Sequence, residues 1–234
     1  MFVVVTGAGR SGTSAVARVL HESGVCMGRH LRPATDANPV GYYEEMPVCD
    51  LNEEILLAAG MAQWHRWASR AEILGAARPH ASRMRALVAD ACSGEEPRGW
   101  KDPRFSWTIE AWLPHFPEPP RLVVCLRSPE EVVASTMHVY GLASDDARDA
   151  ADEIWPNYYT RLLELIDAFG LEATCVEYEE LLADPAGVVA TLAAFVGHPL
   201  DHRWVEPELR RFRKAPPDRY RALYERVRAL GRSA

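Results

Sequence analysis

Lysine is almost missing from this chain. Lys101 and Lys214 are the only two in 234 residues, the other cationic side chains being arginines. No apolar run approaches the roughly 20 residues of a membrane-spanning helix, and the N-terminus enters a strand-like run instead of a signal peptide. A cytoplasmic protein is therefore expected. No C-x-x-C pair occurs among Cys26, Cys49, Cys92, Cys125 and Cys175. Odd in number and scattered, they point to reduced, mostly buried thiols and away from a disulfide frame or a zinc site. Repeats, linkers and low-complexity tracts are also lacking. So is a basic excess: the net charge of −7 argues against general nucleic-acid binding, although residues 201–234 hold ten Arg or Lys against five Asp or Glu. What is present, 48% hydrophobic and 25% charged residues, suits one sizeable α/β domain over residues 1–234 with a real core.

Phe2-Val3-Val4-Val5 is a short apolar run of the kind a buried parallel strand shows. A glycine-rich loop follows, and then a helical pattern from Ala15 that closes near Gly24. Residues 25–46, rich in Gly, Pro and Asn, read as an irregular excursion. Helices are expected over about 47–60 and 79–92, separated by the aromatic segment Trp64-His65-Arg66-Trp67. Gly99 to Arg104 ends a short strand and opens a helix at Pro103. Leu122 to Leu126 is the clearest central strand, with Arg127 at its end and Ser128-Pro129 as N-cap and first helical residue of the next helix. A long helix over 146–169, a strand over 173–176 and helices over 185–196 and 217–230 complete the pattern. Strands alternating with helices imply a central parallel β-sheet flanked by helices.

Gly7-Ala8-Gly9-Arg10-Ser11-Gly12-Thr13-Ser14 fits the frame of a phosphate-binding P-loop, but without its lysine. Thr13 stands where Lys is expected, and the cation is Arg10, inside the loop. Backbone N–H groups and a positive helix end can bind phosphate oxygens there, with Arg10 as a fork and the Thr13 and Ser14 hydroxyls as further donors. A tight strand–helix turn without a ligand is the plain alternative. Arg127 lies at a strand's carboxyl end, where α/β ligands bind, and Ser135 follows about two turns along the next helix. Alone, that Arg and Ser would be read as surface residues.

Together, residues 7–14, the segment Leu122–Ser135 and Trp100-Lys101-Asp102-Pro103 resemble sulfotransferases that use 3′-phosphoadenosine 5′-phosphosulfate (PAPS). The likeness is to the branch with bacterial and protein-tyrosine sulfotransferases. Asn38-Pro39-Val40-Gly41-Tyr42-Tyr43-Glu44 and Val176–Leu182 also look like that branch, so most of residues 2–197 is covered. The resemblance implies a P-loop-type, sulfotransferase-like domain that moves a sulfuryl group from PAPS to a hydroxyl or amine acceptor, without a metal. It implies that Gly9, Arg10, Ser11, Gly12, Thr13 and Ser14 bind the 5′-phosphosulfate, that Arg127 and Ser135 bind the 3′-phosphate, and that Tyr178 lines the nucleoside. Lys101 would stand beside the phosphosulfate, with Arg10 and Lys101 stabilising the charge of the leaving phosphate.

Glu44 is the first candidate for the base that takes the acceptor's proton, with Glu45, Asp36, His30 and His138 as alternatives. Asp102 reads as a helix cap or as a residue that fixes Lys101. The cluster Arg210-Arg211-Phe212-Arg213-Lys214 is either a lid over the donor or a solvated basic face. Tyr42, Trp64, Trp67, His138, Tyr140 and Trp155 either line an acceptor pocket or belong to the core. Two other readings stay open: a Mg-dependent P-loop kinase or NTPase, which expects Lys at position 13, and a catalytically silent nucleotide-binding protein. The acceptor and the oligomeric state are not legible.

Overall fold

A computed structural model of the chain describes residues 1–36, 38–61, 67–94, 97–206 and 218–231. Its centre is a four-stranded, wholly parallel sheet in the order β2-β1-β3-β4. The strands are β1 (Phe2–Thr6), β2 (Arg98–Lys101), β3 (Arg121–Leu126) and β4 (Ala173–Glu177). In β1, Phe2 and Val4 face one core while Val3 and Val5 face the other; in β3, Leu122, Val124 and Leu126 oppose Val123 and Cys125 in the same way. Both faces are apolar, so the strands read as unbroken hydrophobic runs.

On one face, α1 (Thr13–Glu22) and α9 (Pro185–Val196) pack against Val3, Val5 and Val123. The other face is covered by α2 (Met46–Ala58), α3 (Arg70–Ala77), α4 (Ala81–Ala91), α5 (Phe105–Trp112), α7 (Asp145–Phe169) and α10 (Arg221–Arg228). Two further helices, α6 (Pro129–Val139) and α8 (Tyr178–Ala183), start at the carboxyl ends of β3 and β4. An aromatic cluster anchors the sheet edge: Trp100 meets the Phe2 and Trp112 rings edge-on at 4.9 and 5.3 Å. Such pairs add about 0.5–1.5 kcal/mol each beyond their buried area.

Several local expectations are corrected. Helix α3 was not anticipated, although its Ser69 and Glu72 form a reciprocal capping box that stops the segment from running as a loop. Helix α8, six residues long, is too short to show a period. The helix after Pro103 begins two residues later, at Phe105, because the Pro103 carbonyl serves the turn by accepting from Ser106 N at 3.1 Å. Ser128 holds the N-cap position of α6, but its hydroxyl makes no cap bond. Residues 25–46 are less irregular than expected, since Leu31 bridges Glu45 antiparallel and Cys26 extends the sheet edge beside Arg98. All five cysteines are free thiols.

Candidate active site

The glycine loop leaves β1 and turns into α1 at the carboxyl edge of the sheet. Gly7 has φ +133°, and a Cβ there would sit 2.4 Å from the Cys125 carbonyl oxygen of β3. Gly12 has φ +90°, and its Cβ would meet the Tyr178 ring at 2.4 Å. Glycine is therefore required at both positions. Arg10, at φ +68°, is a left-handed residue inside the loop, a strained state that tends to cluster at ligand clamps. No side chain caps the N-terminus of α1, so its first-turn N–H groups face the cleft without a side-chain acceptor. Above Gly9 nothing lies within 4 Å of where a Cβ would stand.

Four elements converge on this loop. Arg10 Nε donates to Ser135 Oγ of α6 at 3.2 Å, and Arg127 Nη1 donates to the Arg10 carbonyl at 3.1 Å. Arg127 is buried; its Nε is held 2.8 Å from Glu131 Oε2, one turn into α6, and its guanidinium lies 4.7 Å over the Tyr178 ring. Its own carbonyl accepts from Trp155 Nε1 at 2.9 Å. From β2, Lys101 Nζ reaches Ser14 Oγ at 3.3 Å and Glu44 Oε1 at 2.6 Å. Lys101 is 3% exposed and Glu44 8%, so the pair is largely out of water and its attraction is little screened.

The other face of the Glu44 carboxylate is held by Arg32 Nε, 2.9 Å from Oε2. The Leu31–Glu45 bridge and the Arg32 N–H on the Glu44 carbonyl, at 2.7 Å, bring these two residues together. Asn38, in the same excursion, donates to Ser14 Oγ at 3.2 Å and to the Gly41 carbonyl at 2.7 Å, pinning the excursion to the loop. Asp102 is fully enclosed and accepts from Asn52 Nδ2 at 2.9 Å and from Arg104 N and Nε at 2.9 Å each. It fixes the turn after Lys101.

Gly9, Arg10, Gly12, Thr13, Ser14, Glu44, Lys101, Arg127, Ser135 and Tyr178 all line one cleft of about 1320 Å³. Ser11 does not: buried, it turns its hydroxyl onto the Ala8 carbonyl and serves the loop's shape. Of the alternative bases, Glu45 points the other way, accepting from His30 N at 2.8 Å and facing His30 Nδ1 at 3.2 Å. Asp36, His30 and His138 are exposed residues outside the cleft lining. Tyr42, Trp67 and Tyr140 border the cleft, whereas Trp155 is core. Tyr158 also lines it, its phenol pushed up to about 12 by burial and then by the Asp102 carboxylate. Trp64 and the basic cluster 210–214 lie outside the described residues. Arg32, Asn38 and Glu131 were not singled out by sequence reasoning. The antiparallel pairing that delivers Arg32 has no local signature, while Glu131 could have been found as an i,i+4 partner of Arg127.

A cleft of this volume exceeds the roughly 300–1,000 Å³ of a typical single-ligand pocket, which gives room for two substrates. Its lining combines the glycine loop, several cations and the Lys101–Glu44 pair with apolar side chains of α2 and α7.

The model of the family described as "Sulfotransferase family" matches residues 3–202. Among curated proteins none matches the chain in sequence. Solved structures that share the fold include the sulfotransferase domain of the Synechococcus PCC 7002 olefin synthase, with TM-score 0.54, 18% identity, and coverage of 100% of this chain and 89% of that one. The sulfotransferase domain from the curacin biosynthetic pathway aligns with TM-score 0.51 at 15% identity, covering 89% of this chain and 78% of that one. Sulfotransferase STF1 from Mycobacterium tuberculosis H37Rv aligns with TM-score 0.51 at 17% identity, covering 87% and 69%. With its residues 3–202 matched and its parallel sheet and flanking helices shared with these structures, the chain belongs to the sulfotransferase family.

Proposed function

We propose that the chain transfers a sulfuryl group from PAPS to a hydroxyl or amine acceptor, with Glu44 as the proton acceptor and without a metal ion. The observation that carries this reading is the Lys101 ammonium, bonded at once to the glycine loop through Ser14 and to the carboxylate of Glu44. One cation thereby joins a phosphate-binding element to a base.

The residues fit the donor. The uncapped start of α1, the open space above Gly9 and the Arg10 guanidinium suit the 5′-phosphosulfate. Arg127 and Ser135, held on either side of Arg10, suit a second phosphate at the 3′ position. PAPS supplies the sulfuryl group. Lys101 and Arg10 place fixed positive charge where the leaving phosphate gains negative charge, and they need no reorganisation to do so. Glu44 takes the proton of the acceptor, and Arg32 keeps its carboxylate turned toward Lys101. Lys101, bonded to both Ser14 and Glu44, draws toward the loop when an anion is bound there and leaves Glu44 Oε1 open to accept that proton.

The test is turnover of PAPS labelled in its sulfuryl sulfur, with a panel of hydroxyl and amine acceptors and EDTA present. Labelled product that appears with the chain and is lost with Lys101→Met supports the reading. Absence of transfer to every acceptor, together with metal-dependent ATP hydrolysis, would replace it with a nucleotide hydrolase.

A further inference from the structure

Beyond Glu44 and Lys101 the cleft changes character. One face of α2 supplies Leu56 and Leu57, one face of α7 supplies Ala147, Ala150 and Ile154, and Leu142 of the α6–α7 connection also lines the cleft. The spacing on α7, three and then four residues, is that of a single helical stripe. The charged side chains that line the cleft beside them are Glu53, Asp102 and Arg104. Arg104 bonds to Glu53 at 3.0 Å and to Asp102 at 2.9 Å, so no unpaired cation is offered to an anionic acceptor among these residues. Met46, Leu57 and Tyr140 are among the few large hydrophobic side chains that the described residues expose, at 38%, 52% and 59%, and all three border this cleft. Apolar surface left in water at the mouth of a pocket marks what the pocket binds.

We propose that this lobe is the acceptor site and that it selects an uncharged hydroxyl compound with an apolar tail. The hydroxyl lies at Glu44, and the tail runs between α2 and α7. This rests on the sulfuryl-transfer reading and narrows it. In the step, the hydroxyl oxygen forms the new S–O bond, the bond from sulfur to the donor's phosphate oxygen breaks with its electron pair going to that oxygen, and the hydroxyl proton passes to Glu44.

The experiment measures kcat/KM with labelled PAPS for straight-chain primary alcohols from 1-propanol to 1-octanol, for 8-hydroxyoctanoate and for glucose. Each added methylene should raise kcat/KM about threefold to fourfold until the lobe is filled. The terminal carboxylate of 8-hydroxyoctanoate should cost about tenfold or more relative to 1-octanol. Leu57→Asp, at a half-exposed position that folding tolerates, should lower the efficiency for 1-octanol while the affinity for adenosine 3′,5′-bisphosphate is unchanged. A flat or falling chain-length series, or a preference for glucose or for 8-hydroxyoctanoate, overturns the proposal. If adenosine 3′,5′-bisphosphate binds but no alcohol is sulfated, the acceptor class is wrong and the donor site stands. If it does not bind, both fall.

Discussion

Lys101 Nζ lies 2.6 Å from Glu44 Oε1, joining the end of β2 to the excursion that leads into α2. The two are nearly buried. Removing Glu44 leaves the Lys101 ammonium without its countercharge, which costs about 3–5 kcal/mol, whereas Glu44 keeps Arg32 when Lys101 is removed. Alanine at position 44 would therefore confound folding with chemistry. Glu44→Gln also loses the countercharge but keeps a hydrogen-bond acceptor for Lys101, and its Tm, measured beside turnover, separates folding from the loss of the basic group. It should lower kcat by about 10²–10⁴-fold with donor-product affinity little changed. Full turnover in Glu44→Gln would move the proton acceptor elsewhere.

Arg127 and Glu131 form a second buried pair, and Arg127 is the proposed reader of the 3′-phosphate. The double variant Arg127→Met/Glu131→Gln removes both charges together. Affinity for adenosine 3′,5′-bisphosphate should fall by about 2–5 kcal/mol, while that for adenosine 5′-monophosphate changes far less. An equal loss for both nucleotides, measured by calorimetry, would assign Arg127 to the loop's architecture and not to the 3′-phosphate.

The loop makes a prediction about stability. Gly7→Ala places a Cβ against the Cys125 carbonyl at a positive φ, whereas Gly9→Ala meets nothing within 4 Å. The backbone strain at Gly7 alone costs about 1–3 kcal/mol, so Tm should drop by several degrees for Gly7→Ala. For Gly9→Ala it should hardly move. Similar Tm values for the two variants would mean that the loop does not approach β3 as closely as described.

Alkaline stability should also be limited by buried thiols. Burial pushes the Cys125 thiol up to about 12 and raises Cys49 as well, the Asp102 and Glu44 carboxylates adding to the second. An unfolded thiol ionises near 8.5, so above that pH the unfolded chain binds fewer protons at these sites than the folded one. Stability present below about pH 8.5 is then lost as pH rises toward 12, by up to about 1.4 kcal/mol per pH unit for each thiol. Urea midpoints at pH 7.5, 9 and 10 should fall, and Cys125→Ala should flatten the trend. A wild-type midpoint independent of pH would show that these thiols are solvated.

Much of this was legible in the sequence because backbone geometry dictated it. Val3 to Val5 and Leu122 to Leu126 are short apolar runs of the kind that strands buried on both faces show, and the glycine spacing marks the loop in which Gly7 and Gly12 take positive φ. Glu44 and Lys101 were found through their segments, but that they touch was not readable, since 57 positions separate them. The Asn52–Asp102 contact is equally remote: Asn52 sits in α2, where it reads as an ordinary polar helix residue. There it accepts from Trp112 Nε1 and Thr108 Oγ1, both at 2.8 Å, besides donating to Asp102. The capping box at Ser69 and Glu72 does have a sequence signature, a serine three residues before a glutamate. Arg32 and Asn38 owe their positions to a bridge between Leu31 and Glu45 inside a Gly- and Pro-rich stretch, where periodicity carries no information.

The proposed donor site recognises a 3′-phosphate and needs no metal. Its most direct test is isothermal calorimetry of the wild-type chain with adenosine 3′,5′-bisphosphate in EDTA, beside adenosine 5′-monophosphate and ATP with and without Mg²⁺. Saturable binding of the bisphosphate in EDTA, at least about thirtyfold tighter than the monophosphate, is the expected result. Equal affinity for the two, or binding of ATP alone and only with Mg²⁺, would contradict it.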